Sequence, residues 1–97
     1  MKKIRTEELI DFCKMVGANI RKMRIERKLT QAQVGRSIQI RFQQIQKYEM
    51  GSNCLSAWRL KQLANLFKVS TMDILDPQYI AKSCQTHESQ RLNGYHV

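Results

Sequence analysis

Residues 30–51 read TQAQVGRSIQIRFQQIQKYEMG, and they carry two helix signals in close succession. Thr30-Gln31-Ala32-Gln33 has the form of a capping box: the Thr30 hydroxyl accepts from the Gln33 amide while the Gln33 side chain reaches back to the amide of Thr30. A helix is therefore predicted from Gln31, burying Val34 and Ile38 and ending near Gln39. Gly35 inside it costs about 1 kcal/mol against alanine, and close contact with a neighbouring helix is a physical reason to keep it. On a wheel of about 100° per residue, the next segment divides cleanly. Gln44, Ile45, Tyr48 and Glu49 fall on one side; Phe42, Gln43, Gln46, Lys47 and Met50 fall on the other. The first side suits a core, and the second displays amides, a cation and two apolar groups to solvent.

The flanks extend the helical pattern. From Thr6 to about Arg27 the apolar residues Leu9, Phe12, Cys13, Val16, Ile20 and Met23 recur every three or four positions, as one long helix or two short ones broken near Gly17. After the loop GSNCLS, Ser56 caps a helix with Leu60, Leu63, Ala64 and Phe67 in helical register, and Trp58 is expected to close the core at its start. Ser70 with Asp73 is a further cap, giving a short helix through Leu75 that Asp76-Pro77 stops. With four glycines, one proline and few alternating segments, the class is all-α. The polar segment from Gln78 to Val97 reads as a tail, disordered past about Ser83.

A chain of 97 residues makes one domain with a modest core. Lys and Arg outnumber Asp and Glu by 17 to 8, for a formal charge of +9, which suggests a polyanionic partner. No apolar run approaches the roughly 18 residues that span a bilayer, and the start MKKIRTEELIDF lacks the apolar stretch and cleavage site of a secretory leader. A cytoplasmic protein with no membrane partner is expected. Cys13, Cys54 and Cys84, an odd number at wide spacing, argue against disulfides and for free thiols. Cys84, His87 and His96 have some ligand-like spacing, but zinc needs about four clustered ligands, so neither a metal nor another cofactor is expected.

The exposed side of the 42–50 helix suits nucleic acid. A glutamine amide matches the N6 and N7 edge of adenine, lysine matches guanine O6 and N7, and Phe42 can press on a thymine methyl. Glutamine is also a good helix former, so a merely solvated face is the competing explanation. The surroundings favour the first: between Ile20 and Lys61 lie ten basic residues and two acidic ones, Glu26 and Glu49.

At this point VGANIRKMRIERKLTQAQVGRSIQIRFQQIQKYEMG, continuing to LANLFKVSTMDIL, resembles the Cro/repressor-type (XRE-like) helix-turn-helix DNA-binding family over about residues 16–75. Thr-Gln at a helix start, isoleucine at the centre of the recognition helix and Glu-x-Gly at its end fall in register. The resemblance implies a compact five-helix, lambda-repressor-like bundle with its third helix in the major groove. Residues 1–15 would form an N-terminal helical extension, 16–75 the DNA-binding domain and 76–97 a C-terminal tail. Phe42, Gln43 and Lys47 match the family's base-reading positions, with Gln46 beside them. Gln31, Arg41, Ser52, Asn53 and Ser56 would meet the DNA backbone, and Arg24 with Glu49 would form a structural ion pair. Gln39 stands where glycine is common and must accept positive φ, and Arg41 replaces the usual capping Ser or Thr.

The expected function is a sequence-specific double-stranded DNA-binding transcriptional regulator, a repressor that occupies an inverted-repeat operator as a homodimer. Its expected dimer surface is the last helix, with Ile74, Leu75, Tyr79 and Ile80. An antitoxin-like regulator that also binds a protein partner is the alternative. An enzyme is disfavoured, because no nucleophile, base and orienting group come together in the sequence. RNA recognition would call for more exposed aromatic platforms than Phe42 alone.

Overall fold

The computed structural model describes residues 2–80, with side chains from residue 6 onward. The expected tail beyond residue 80, with Cys84, His87 and His96, lies outside the described residues. Five helices follow in order: α1 (Lys2–Glu26), α2 (Gln31–Ser37), α3 (Phe42–Met50), α4 (Ala57–Phe67) and α5 (Thr71–Leu75). Among the described residues there is no strand, and no helix is long and apolar enough to cross a membrane.

Local chemistry sets the helix starts. Thr30 Oγ1 accepts from the Gln33 amide at 3.0 Å while Gln33 Oε1 accepts from the Thr30 amide at 2.8 Å, so two otherwise orphaned donors are satisfied reciprocally. Ser56 caps α4 through the Arg59 amide, and Ser70 with Asp73 forms a second capping box on α5. Arg41, at the N-cap of α3, makes no side-chain cap bond. The turn between α2 and α3 passes through Gln39 at φ 63°, a left-handed conformation that glycine adopts with less strain.

One layer of apolar side chains joins all five helices: Val16, Ile20 and Met23 of α1, Val34 and Ile38 around α2, Ile45 and Tyr48 of α3, Leu63, Ala64 and Phe67 of α4, and Ile74 of α5. The helix α1 is unbroken. Gly17 is a point of close approach instead, because a Cβ there would run into the backbone carbonyls of Tyr48 and, at 2.7 Å, Glu49. Gly35 likewise has no room for a Cβ, but its neighbour is the Ile40 carbonyl in the following turn at 2.6 Å, not a second helix. Asn19, fully buried, donates from Nδ2 to the carbonyls of Ile74 (2.9 Å) and Asp76 (2.8 Å), satisfying the C-terminal end of α5.

Four expectations are corrected. Trp58 does not close the core: it is 61% exposed, because it precedes Leu60 by two residues and so lies about 200° around the helix from the buried stripe. Leu9 and Phe12 keep the register of the α1 stripe yet are exposed, because they border an open apolar hollow with Leu55, Leu60 and Leu75 instead of being covered by it. Ile74 is fully buried within the protomer and is not available to a dimer surface. Finally, Cys13 and Cys54 are not separate thiols. A disulfide joins them, with Cα atoms 5.2 Å apart. Parity and spacing say nothing about distance in space, and packing α3 across α1 brings these two positions together although 41 residues separate them. By the chain-entropy argument, closing a loop of that length is worth roughly 4 kcal/mol.

Candidate nucleic-acid interface

The helix α3 is amphipathic in the way its sequence requires. Ile45, Tyr48 and Glu49 are buried, while Phe42, Gln43, Gln46, Lys47 and Met50 are exposed. Spacings of one, four and five residues place Phe42, Gln43, Gln46 and Lys47 on one outward face. Gly51, at φ 79°, ends the helix in the left-handed conformation, and the Ser52 amide closes it by donating to the Lys47 carbonyl at 2.9 Å.

Between α3 and α4 lies a concavity of about 560 Å³ bordered by Arg41, Gln43, Gln44, Lys47 and Arg59. Three cations and two amides thus share one depression beside the outward face, a favourable setting for phosphate. Arg59 is held there by its Nη1, which donates to the Ile38 carbonyl at 3.3 Å and to Gln62 Oε1 at 2.7 Å. In the sequence it was one cation among ten, and its place became visible only once α4 was packed against the α2–α3 turn.

Not all ten cations serve the surface. Arg27 donates from Nε to the Phe67 carbonyl at 3.0 Å and lies over the Phe67 ring, 5.3 Å from its centroid. Arg24 grips Glu49 bidentately, Nε to Oε2 at 2.6 Å and Nη2 to Oε1 at 3.1 Å, and its Nη1 reaches the Leu29 carbonyl at 2.8 Å. The amide of Gln31 adds a third bond to Glu49, Nε2 to Oε1 at 3.0 Å. Gln31 was expected at a phosphate; its side-chain nitrogen here faces inward, into a link that the sequence did not disclose. Gln33 engages Thr30, and Ser56 Oγ accepts from the Arg59 amide at 3.1 Å. Ser52 and Asn53 are exposed in the loop after α3, with Asn53 Oδ1 3.5 Å from Gln44 Nε2.

The family model described as a helix-turn-helix domain matches residues 17–79. The chain belongs to the helix-turn-helix family. Within it, this helix-turn-helix protein is 44% identical over 54 residues to an uncharacterized HTH-type transcriptional regulator of Sinorhizobium fredii, a stretch covering 56% of this chain and 38% of that protein. It is also 44% identical over 54 residues to an uncharacterized transcriptional regulator in the ATPase CF(0) region of Rhodospirillum rubrum, covering 56% of this chain and 50% of that one. The matches thus span half or less of the length of these curated relatives. Among solved structures, the clp gene regulator ClgR from Corynebacterium glutamicum superposes with a TM-score of 0.66 over 88% of this chain and 94% of its own, at 17% identity. That likeness is one of fold: α2 and α3 are the two helices around the turn, and α3 stands in the second position of the motif.

Proposed function

We propose that this helix-turn-helix protein is a sequence-specific double-stranded DNA-binding transcriptional regulator. The observation that carries the reading is the exposed face of α3, where Phe42, Gln43, Gln46 and Lys47 project together beside Arg41 and Arg59. Amides and a lysine offer hydrogen bonds matched to purine edges, and Phe42 offers an apolar surface for a thymine methyl. Arg41, with Ser52, Asn53, Ser56 and the start of α2 near Gln31, holds the backbone and sets the register. The similarity to proteins described as transcriptional regulators supports the same reading.

The regulator acts in the cytoplasm as a repressor, by occupying an operator. One recognition helix reads few base pairs, so two copies bind an inverted repeat whose half-site centres lie about one turn, roughly 34 Å, apart. A single copy per duplex in analytical ultracentrifugation would refute the homodimer.

Selection of bound duplexes from a random pool tests the whole reading, at stated salt because phosphate contacts make affinity salt-dependent. The parent should enrich an inverted repeat. Gln43→Ala and Lys47→Ala should each relax preference at one base pair per half-site, by about 1–3 kcal/mol of discrimination. Failure to enrich any sequence, or identical motifs from parent and variants, would reduce α3 to a solvated helix face.

A further inference from the structure

The loop between α3 and α4 is bound to the rest of the molecule in an unusual way. Its start is fixed by Gly51, packed against Lys14 of α1, and by the Ser52 amide on the Lys47 carbonyl. Further on, it is held by Leu55 against the core, by the 3.5 Å approach of Asn53 to Gln44, and by the disulfide from Cys54 to Cys13. The two cysteines differ sharply in surroundings. Cys13 is buried on α1, one turn before Gly17 where α1 and α3 touch, and its position is dictated by the core. Cys54 is exposed. A disulfide with one of its two cysteines at the surface can be approached by small thiols and oxidants, and exposed disulfides are the readily exchanged ones. The buried partner, meanwhile, stays in place for the bond to reform.

We infer that Cys13 and Cys54 are a reversible oxidation site, closed by a peroxide and opened by a small dithiol, that sets how firmly the 51–55 loop is held. In closing, the Cys54 thiol gives up its proton and the thiolate attacks one oxygen of hydrogen peroxide, breaking the O–O bond to give a sulfenic acid and hydroxide, which takes that proton to become water. The Cys13 sulfur then attacks the Cys54 sulfur, forming the S–S bond and releasing a second water. Two thiols lose two electrons and peroxide gains them. In opening, a dithiol such as dithiothreitol takes the bond over by two exchange steps and leaves as its own cyclic disulfide, returning both thiols. For its consequence on DNA the inference rests on the reading proposed above: Ser52 and Asn53 belong to the backbone-contacting set, and a loop ordered before binding loses less freedom on binding. The closed form binds its duplex about tenfold more tightly than the open form, a preorganisation effect of ordinary size.

The test uses the full chain with Cys84→Ser, so that the third cysteine cannot exchange, in fully reduced form and after one equivalent of hydrogen peroxide. Peptide mapping without reductant should find Cys13 joined to Cys54 only after peroxide. Amide hydrogen exchange at residues 51–55 should slow on closing, and the selected duplex should bind about tenfold more tightly. Adding Cys54→Ser should abolish all three responses to peroxide. Absence of the cross-link after peroxide, or unchanged exchange in the loop once it has formed, overturns the inference. Equal affinity of the two forms overturns its consequence for DNA. If neither form selects any duplex, the DNA-binding reading fails, and mapping with exchange alone decides the oxidation site.

Discussion

Arg24 Nε of α1 lies 2.6 Å from Glu49 Oε2 at the end of α3, with side chains only 12% and 3% exposed. Through this pair the candidate recognition helix is fastened at its C-terminal end to the longest helix of the bundle, and the Gln31 amide fastens α2 to the same carboxylate. Breaking a buried pair leaves one charge without its partner in a poorly solvated place, at a cost of about 3–5 kcal/mol. Arg24→Ala should therefore loosen or unfold the domain, read as a large fall in thermal midpoint by circular dichroism. An unchanged midpoint would show that the pair contributes little.

Gly17→Ala should destabilise by about 1–3 kcal/mol, the usual range for forcing an extra methyl into packed structure. The methyl would meet the Tyr48 and Glu49 carbonyls, which are rigid backbone and cannot swing aside. Urea unfolding of parent and variant measures the difference; equal midpoints would mean that α1 and α3 can separate at little cost.

Trp58→Ser should leave stability within about 0.5 kcal/mol, as is usual for exposed positions free of special contacts. A loss of several kcal/mol in the same urea assay would contradict the outward orientation of this indole.

Arg41→Ala should weaken DNA binding about equally for all duplexes and lower the slope of log affinity against log salt by about one, the signature of one lost phosphate contact. A titration from low to moderate salt would decide it. Loss of preference at a single base pair would instead assign Arg41 to base reading.

Tyr79 donates its hydroxyl to Glu26 Oε1 at 2.8 Å. Burial, and then this bond to a carboxylate, push its phenol above the usual value of 10.0. Because the folded-state pKa is raised, the stabilisation is complete below the unfolded value and is lost as pH rises through the folded one. Stability should thus fall as pH climbs above about 10, and the fall should be shallower in Tyr79→Phe. Parallel pH profiles for the two proteins would deny Tyr79 a part in it.

Much of the fold could be read before it was seen, because the decisive signals are local. The Thr30–Gln33 box, the Ser56 and Ser70 caps, and the split of α3 into a buried and an exposed side depend on residues a few positions apart, where sequence spacing is spatial spacing. The left-handed conformation at Gln39 was legible only through the family resemblance, in which glycine is common at that position. Features that depend on how helices meet were not. The pairing of Cys13 with Cys54, the Gln31 bond to Glu49 and the anchoring of Arg59 on Ile38 each join segments whose relative placement no periodicity encodes. Trp58 was misjudged through its size: a large apolar side chain invites burial, yet its angle around α4 sets it opposite Leu63 and Phe67. Leu9 and Phe12 keep the apolar register but face a hollow, beside Leu55, Leu60 and Leu75, that leaves them half open.

Among the described residues, three connections pass through the left-handed region without glycine: Lys28 after α1, Gln39 between α2 and α3, and Lys68 after α4, at φ 57°, 63° and 61°. Each costs about 1 kcal/mol more than glycine would in the same conformation. Two of the three are lysines, so exchanging them for glycine would make a sturdier but less positive molecule. Positive charge acts at a distance, raising the rate at which a protein meets a polyanion. The helix ends of this chain thus set thermal endurance against speed of encounter, and a glycine-substituted form should outlast the parent on heating while finding its duplex more slowly at low salt.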